Sequence, residues 1–188
     1  TATVLASDTT PPDAPTVSLA VASDSGVMDG NLTNVTTPII HVDLNGTGAT
    51  APVAGDLLTI YLGGSQTIGV YVLTSTDITN TYAEVTVSSL GSDGIKNITA
   101  TVTDQAGNVS NSSSNFALTI DTSASLLIND VATDNIVNSS EKTAGVTVSG
   151  TTTAENGQTV TVVWGGTTKT ATVSSGAWST SFTSGQVP

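Results

Sequence analysis

Cysteine is absent from this 188-residue chain, which excludes disulfides, thiolate nucleophiles and zinc–thiolate centres. Basic residues are scarce as well. Three Lys or Arg stand against fifteen Asp or Glu, a net charge of −12, and a surface of that sign repels nucleic acid and anionic membranes. Aromatics make up 4% of the residues and there is one His. No apolar run is long enough to span a bilayer and no signal peptide or lipidation box is seen, so a soluble fragment or an internal piece of a longer protein is expected. No long stretch carries the apolar spacing of a helix. Small domains of this composition need some other means of becoming rigid.

What the chain does contain is Ser and Thr, together roughly a third of the residues, with 37% hydrophobic content. That composition suits an all-β protein with almost no helix. The length allows two small cores more readily than one large core.

The most informative stretch is Lys96–Asp121, KNITATVTDQAGNVSNSSSNFALTID. Ile98, Ala100 and Val102 alternate with Asn97, Thr99, Thr101 and Thr103, the period-2 pattern of a half-buried strand. Phe116, Leu118 and Ile120 repeat the pattern. The Asp104-Gln-Ala-Gly-Asn108 turn between the arms brings carboxylate and amide oxygens to one end, so the stretch reads as the closing hairpin of a sandwich.

Taken in order, the chain predicts a short strand at 1–7, the last of a preceding module, and a proline-stiffened linker to residue 12. A complete module spans 13–120. Its first strand covers 16–22, with Val17, Leu19 and Val21 on one face. A loop rich in Gly, Asp and Asn leads to a strand in which Ile40, Val42 and Leu44 alternate with Ile39, His41 and Asp43. Strands at 57–62 and 68–73 flank Gly63-Gly64, a hairpin signal, and another covers 82–88. Seven or so strands at this spacing indicate a sandwich.

Residues 121–188 repeat the same order: a strand at 125–129, a loop DVATDNIVNSSE, a strand at 144–150, and 159–173 folded at Gly165-Gly166. Trp178 and Phe182 anchor one more strand. Nothing then corresponds to 96–120, so this second module lacks its last two strands and exposes edge backbone and apolar surface. It is expected to be completed by downstream sequence or by a strand from another copy, such as 1–7.

The acids gather in loops beside Gly and Asn, at Asp24, Asp29, Asp93, Asp104, Asp130 and Asp134. Asp favours turns through its own backbone, but oxygen-bearing side chains gathered at strand ends are also what a hard cation such as Ca2+ requires.

At TVTDQAGNVS followed by FALTIDTSA, and at INDVATDNIVNSSEKTAGVTVSGTTTAENGQTVTVVWGGTTKTATVSSGAWS, the sequence resembles the bacterial immunoglobulin-like repeats of giant RTX-type surface adhesins, exported by type I secretion. The resemblance covers essentially the whole chain. It implies tandem immunoglobulin-like β-sandwiches that act as non-catalytic extenders, with calcium at the joints stiffening the array and projecting a distal binding domain in adhesion or biofilm formation. In such a sandwich Asp24, Asp29, Asp93 and Asp121 share one end, approached by Glu155 and Asn156 of the next module. Asp104 and Asn108 share the other with Asp8 and Asp13 of the linker. The first long loop, DSGVMDGNLTN, departs from DVATDNIVNSSE in length and acid spacing. The expected localisation is the bacterial cell surface, and the expected partners are neighbouring modules of the same polypeptide.

Other readings carry less. His41 lies on a polar strand face with no nucleophile motif near it, so a triad is not indicated. Trp164 and Trp178, in strands among small polar residues, read as core rather than as sugar platforms. Thr99, Thr101 and Thr103, like Thr159 and Thr161, are ordinary solvent-facing strand residues. A glycan- or protein-binding module is the alternative function, and it would need a concave aromatic patch that 4% aromatics argues against.

Overall fold

The computed structural model describes residues 7–25, 30–47 and 50–188. The strand expected at 1–7 and the acid Asp29 therefore lie outside the described residues, apart from Ser7. The chain divides into two compact units, Thr1–Thr122 and Ser123–Pro188, each with its own apolar cluster.

In the first unit the elements are β1 (Thr16–Leu19), β2 (Leu32–Thr33), β3 (Ile39–Asp43), β4 (Leu57–Leu62), β5 (Gln66–Val72), a helix α1 (Ser75–Asn80), β6 (Tyr82–Thr86), β7 (Gly94–Thr103) and β8 (Phe116–Ile120). They form two sheets, β1-β3-β6 and β2-β8-β7-β4-β5. Period-2 alternation explains the packing: Ile40, Val42, Leu58, Ile60, Ile98, Ala100, Val102 and Leu118 are fully buried, while their neighbours along each strand face outward. Each large aliphatic side chain so buried contributes about 1.5–3 kcal/mol.

Strand β7 is the spine of the larger sheet. It pairs antiparallel with β4 on one side, Ile60 opposite Ala100, and with β8 on the other, Ile98 opposite Phe116. Beyond Phe116 the partner chain loses regular strand form but keeps its bonds. Ser110 and Ser113, both buried, donate their backbone N–H to Val102 and Ala100 O. Their hydroxyls accept from the N–H groups of the same two residues, each at 3.0 Å. Each hydroxyl then donates onward, to Asn111 O and Ser114 O. Serine side chains thus take the place of ladder carbonyls, leaving no buried backbone donor of Ala100 or Val102 unpaired.

One expectation is corrected. The first strand ends at Leu19, not residue 22, because the chain turns into a 3-10 turn at Val21–Ser23; Ala20 is buried there and Val21 is exposed. From that turn the chain crosses to the other sheet, where β2 runs parallel to β8. Buried Thr33 fixes the crossing by donating its hydroxyl to Ser23 O. Helix is confined to two six-residue α-helices and short 3-10 turns, in keeping with the expected near-absence of helix. Helix α1 starts at a capping box in which Thr74 Oγ1 accepts from Asp77 N and Asp77 accepts from Thr74 N, two otherwise orphaned donors satisfied reciprocally.

The second unit contains β9 (Leu126–Ile128), a helix α2 (Ser139–Ala144), β10 (Val146–Thr152), β11 (Thr159–Trp164), β12 (Thr167–Thr172) and β13 (Ala177–Phe182). Its sheets are β9-β10-β13 and the hairpin β11-β12, the counterparts of β1-β3-β6 and β4-β5. The match extends to single bonds. Gly55 N to Leu73 O and Leu73 N to Asp56 O recur as Gly157 N to Val173 O and Val173 N to Gln158 O. The core is filled differently. Opposite Trp178 stands Gly150, where a Cβ would collide with Leu127 O and the Trp178 ring, so a small residue on one strand makes room for a large one on the next.

Removing the Ser113 hydroxyl leaves the buried Ala100 N–H without its acceptor, which costs about 1–3 kcal/mol. Ser113→Ala is expected to lower the denaturation midpoint of the first unit accordingly, with exposed Ser112→Ala near zero. Equal midpoints for the two variants in urea unfolding would show that the hydroxyl carries no such role.

Candidate functional site

The acids singled out in the sequence fall at several places. At the end of the first unit where the chain enters, the β7 hairpin turn lies beside the linker. Asp104 Oδ1 accepts from the N–H of Ala106 at 2.9 Å and of Asn108 at 2.8 Å. Asp104 Oδ2 accepts from Asn108 Nδ2 at 2.8 Å, and the same amide donates to the backbone carbonyl of Asp8 at 3.2 Å. Linker and hairpin, 100 residues apart in sequence, are therefore joined through one side-chain amide. The donation from Asn108 holds the Asp104 carboxyl below the usual Asp range, aided by backbone N–H groups of the turn and opposed by desolvation.

The Asp8 carboxylate itself accepts from Thr10 N, which shapes the linker. Asp13 pairs with Thr50, N–H to carbonyl and carboxylate to hydroxyl, and is not joined to Asp104. One further acid belongs to this region and was missed in the sequence. Asp56 is 1% exposed. Its Oδ2 accepts from Val53 N at 2.8 Å, while Oδ1 has no hydrogen-bond partner. A buried carboxylate oxygen left unpaired is costly. It lies next to Gly55, where a Cβ would meet the Gln105 side chain, so it borders the same turn. The only sequence signal was the Gly-Asp pair opening β4, echoed by Gly157-Gln158.

At the opposite end, Asp93 Oδ1 accepts from Thr122 N and Oγ1 at 3.1 and 2.7 Å, and Asp121 N donates to Thr33 O. Asp93 thus reaches the exit of β8 as expected. Asp24 accepts from Gly30 N in the loop after β1. In the second unit, Asp130 accepts from Asn135 Nδ2 and Asp134 from Ile136 N. Around Asp134, Ala132, Thr133 and Asn135 all have positive φ, a conformation disfavoured for a β-branched residue such as Thr133. Glu155 opens the turn before β11, its carbonyl accepting from Gln158 N, and Asn156 Oδ1 accepts from Ser175 N. Among the described residues no three His, Asp or Glu side chains come close enough to hold a metal ion on their own.

The outer face of β1-β3-β6 carries a different group. Ser18, His41 and Glu84 are register partners across the three strands, the residue types of a hydrolytic triad. The geometry is not that of a triad. His41 Nε2 faces Asp43 at 3.2 Å and Nδ1 faces Glu84 at 3.6 Å, so both nitrogens meet carboxylates and neither meets a hydroxyl. The ring stacks on Tyr82 with centroids 4.5 Å apart. A cleft of about 470 Å³ opens beside it, between these side chains and Asp24, Gly30 and Asn31.

Two small sheets packed face to face, with acid-rich loops at both ends, define a bacterial immunoglobulin-like module. Residues 9–122 match the family described as bacterial Ig-like domain, more than half of the chain, which therefore belongs to that family. It is similar at 27% identity over 93% of its length to a Ca2+-stabilized adhesin that helps an Antarctic bacterium reach out and bind ice (TM-score 0.41). It is similar at 26% identity over 93% of its length to part of a 1.5-MDa bacterial ice-binding adhesin studied for host cell surface retention (TM-score 0.39). A tetra-tandem repeat from the extending region of a large adhesion protein is 22% identical over 90% of this chain (TM-score 0.34). The chain spans 41%, 55% and 40% of those three chains, in that order. No curated protein matches it.

Asp104 contributes stability only while ionised. Its folded pKa lies below the ordinary value, so that contribution is present above about pH 4 and is lost as the pH falls through the depressed value. The midpoint difference between the natural chain and Asp104→Ala should be largest at neutral pH and should shrink in acid. A difference independent of pH in urea titrations would assign the effect to something other than the carboxylate.

Proposed function

We propose that this chain is a non-catalytic, calcium-stiffened spacer of a bacterial cell-surface adhesin, holding a distal binding domain away from the cell. The observation that carries the reading is the junction of Asp8 O, Asp104 Oδ2 and the Asn108 amide, where linker and hairpin turn meet. Two of the three groups already present oxygen. The third carries its amide oxygen on the same carbon as the bridging nitrogen, so half a turn of that amide offers a third.

The donor chemistry fits the ion. All the groups are hard oxygens, and the orphaned Asp56 Oδ1 beside the same turn supplies a further acceptor. Calcium there would satisfy six to eight oxygens, water included, and extracellular modules typically bind it at about 10⁻⁴–10⁻³ M. The chain's own part is to fix the linker against the sandwich, so that a flexible connection becomes a rigid one. Asp93 and Asp121 are assigned the same part at the exit of β8, and Asp130, Asp134 and Glu155 in the loops of the second unit. Mutual repulsion of acidic modules, at −12 for this chain, favours an extended array.

The composition supports a non-catalytic part, and the His41 arrangement lacks the hydroxyl contact a hydrolase needs. The binding-module alternative is not favoured either, because the Tyr82 ring beside the cleft is already stacked against His41 rather than open to a sugar.

Melting in calcium, magnesium and chelator tests the proposal. At ~10 mM calcium, a site of ~10⁻⁴–10⁻³ M affinity stabilises the folded state by about 1.4–2.7 kcal/mol. A calcium-specific rise in Tm is expected, abolished for the first unit by Asp104→Ala, together with a larger maximum dimension in solution scattering. The same Tm and dimension in calcium and in chelator would refute the stiffening role.

A further inference from the structure

The chain holds two Asn-Gly pairs, Asn45-Gly46 and Asn156-Gly157, and the Asn of each is exposed. Such a pair is open to a reaction that needs only water. With no side chain on the Gly to hinder approach, its backbone nitrogen can attack Cγ of the preceding Asn. The new C–N bond closes a five-membered imide and the Cγ–Nδ2 bond breaks. Ammonia leaves, carrying the proton of the Gly N–H. Water then opens the ring at either carbonyl and leaves aspartate or isoaspartate.

The fold treats the two pairs differently. Gly157 N donates to Val173 O at 2.9 Å, Val173 N donates to Gln158 O, and Asn156 Oδ1 is held by Ser175 N. Ring closure at Asn156 therefore requires one end of the β11-β12 hairpin to open. Gly46 N makes no hydrogen bond among the described residues. Only the Asn45 amide is held there: Nδ2 donates to Ala14 O at 3.1 Å and to Thr16 Oγ1 at 2.8 Å. Strands β1 and β3 pair with Thr16 opposite Asp43, and the same register carried two places further sets Ala14 opposite Asn45. The side-chain amide thus continues the ladder onto the linker. Glycine is required beside it, because at φ +124° a Cβ on Gly46 would stand 2.6 Å from Thr50 O.

We propose that Asn45 is a site of spontaneous deamidation, guarded while the linker is docked and released when it lifts, and that the reaction removes this attachment of the linker permanently. With Nδ2 bound to Ala14 and Thr16, Cγ is not free to turn onto Gly46 N. Release of those two acceptors is a local opening and not an unfolding of the unit. The product presents a carboxylate, which accepts and does not donate. The Thr16 hydroxyl can turn to donate to it, but the Ala14 carbonyl cannot. The new charge also lies in the loop whose Thr50 already donates to the Asp13 carboxylate. These steps concern the linker's own bonds and hold whether or not calcium binds.

Peptide mapping by mass spectrometry of the full chain, aged in warm, mildly alkaline buffer, follows both pairs, with isoaspartate as a second readout. Each folded rate is divided by the rate of the same pair in urea, which removes the effect of local sequence. Position 45 is expected to react several-fold faster than position 156 on this scale. Thr16→Val removes one of the two acceptors from an exposed residue and should raise the rate at 45 by about two- to tenfold, leaving 156 unchanged. Asn45→Asp, made directly, should speed hydrogen exchange of the Asp13 N–H, which donates to Thr50 O. Equal normalised rates at the two positions, or no response of position 45 to Thr16→Val, overturn the guarded site. Unchanged exchange at Asp13 in Asn45→Asp overturns the loss of attachment.

Discussion

The pairing of β7 with two neighbours at once is the constraint on which the first unit depends. Strand β7 carries three fully buried residues, Ile98, Ala100 and Val102, and it alone joins the β4-β5 half of the larger sheet to the β8-β2 half. Because β2 parallels β8, the crossing of the chain from one sheet to the other also hangs on this strand. The two serines that continue its ladder past Phe116 are consistent with that load. Where regular pairing fails, hydroxyls complete the bonding rather than water.

The second constraint is electrostatic. Acids outnumber bases five to one, and among the described residues none of the three lysines answers an acid across an ion pair, the carboxylates of Asp43 and Glu84 facing the His41 ring instead. The carboxylates are instead held by N–H groups: Asp104 by its own turn, Asp77 by Thr74, Asp93 by Thr122, Asp134 by Ile136. Bonding of this kind fixes the loops without neutralising them. It leaves a rigid negative framework with lone pairs to spare, which is a different outcome from the paired surface charges of an ordinary soluble domain.

Most of the strand framework was legible in the sequence because period-2 alternation is a direct image of a two-faced sheet. Ile40/Val42, Ile98/Ala100/Val102 and Leu118/Ile120 each appear in the core where the pattern placed them. The helices α1 and α2 were not legible, since six residues are too short for apolar periodicity. Their signal is in the caps, Thr74 with Asp77 and Asn138 with Glu141, which two Thr- and Ser-rich loops conceal. Val21 was misplaced because Ala20, small enough to be buried at the turn, ends the strand without any Gly or Pro. Asp104 and Asn108 form the turn beside the linker, whereas buried Asp56 was not singled out, since nothing in the residues around it marks it as buried. The convergence of distant acids was the least legible feature. It depends on loop conformation, and residues with the same composition can hold each other, as at Asp130 and Asn135, or lie apart, as do Asp13 and Asp104.

These two constraints together account for where rigidity has to come from. A sandwich filled by Val, Ile, Leu and Ala, with no disulfide, is stable enough to keep its own shape, but its core ends at Leu90 and Ile120 and does not extend into the linker. Residues 8–15 are prolines, acids and small polar groups that bury little. Only Pro12 and Pro15 are sunk against the first unit, and they fix backbone angle rather than direction. The contacts that set direction are polar: Asn108 to Asp8, Thr50 to Asp13, and Asn45 to Ala14 and Thr16. All four are exposed, and each is worth only about 0.5–1.5 kcal/mol net in water. The carboxylates of Asp104 and Asp13 stand on segments that border the linker, which places negative charge where the apolar core does not reach.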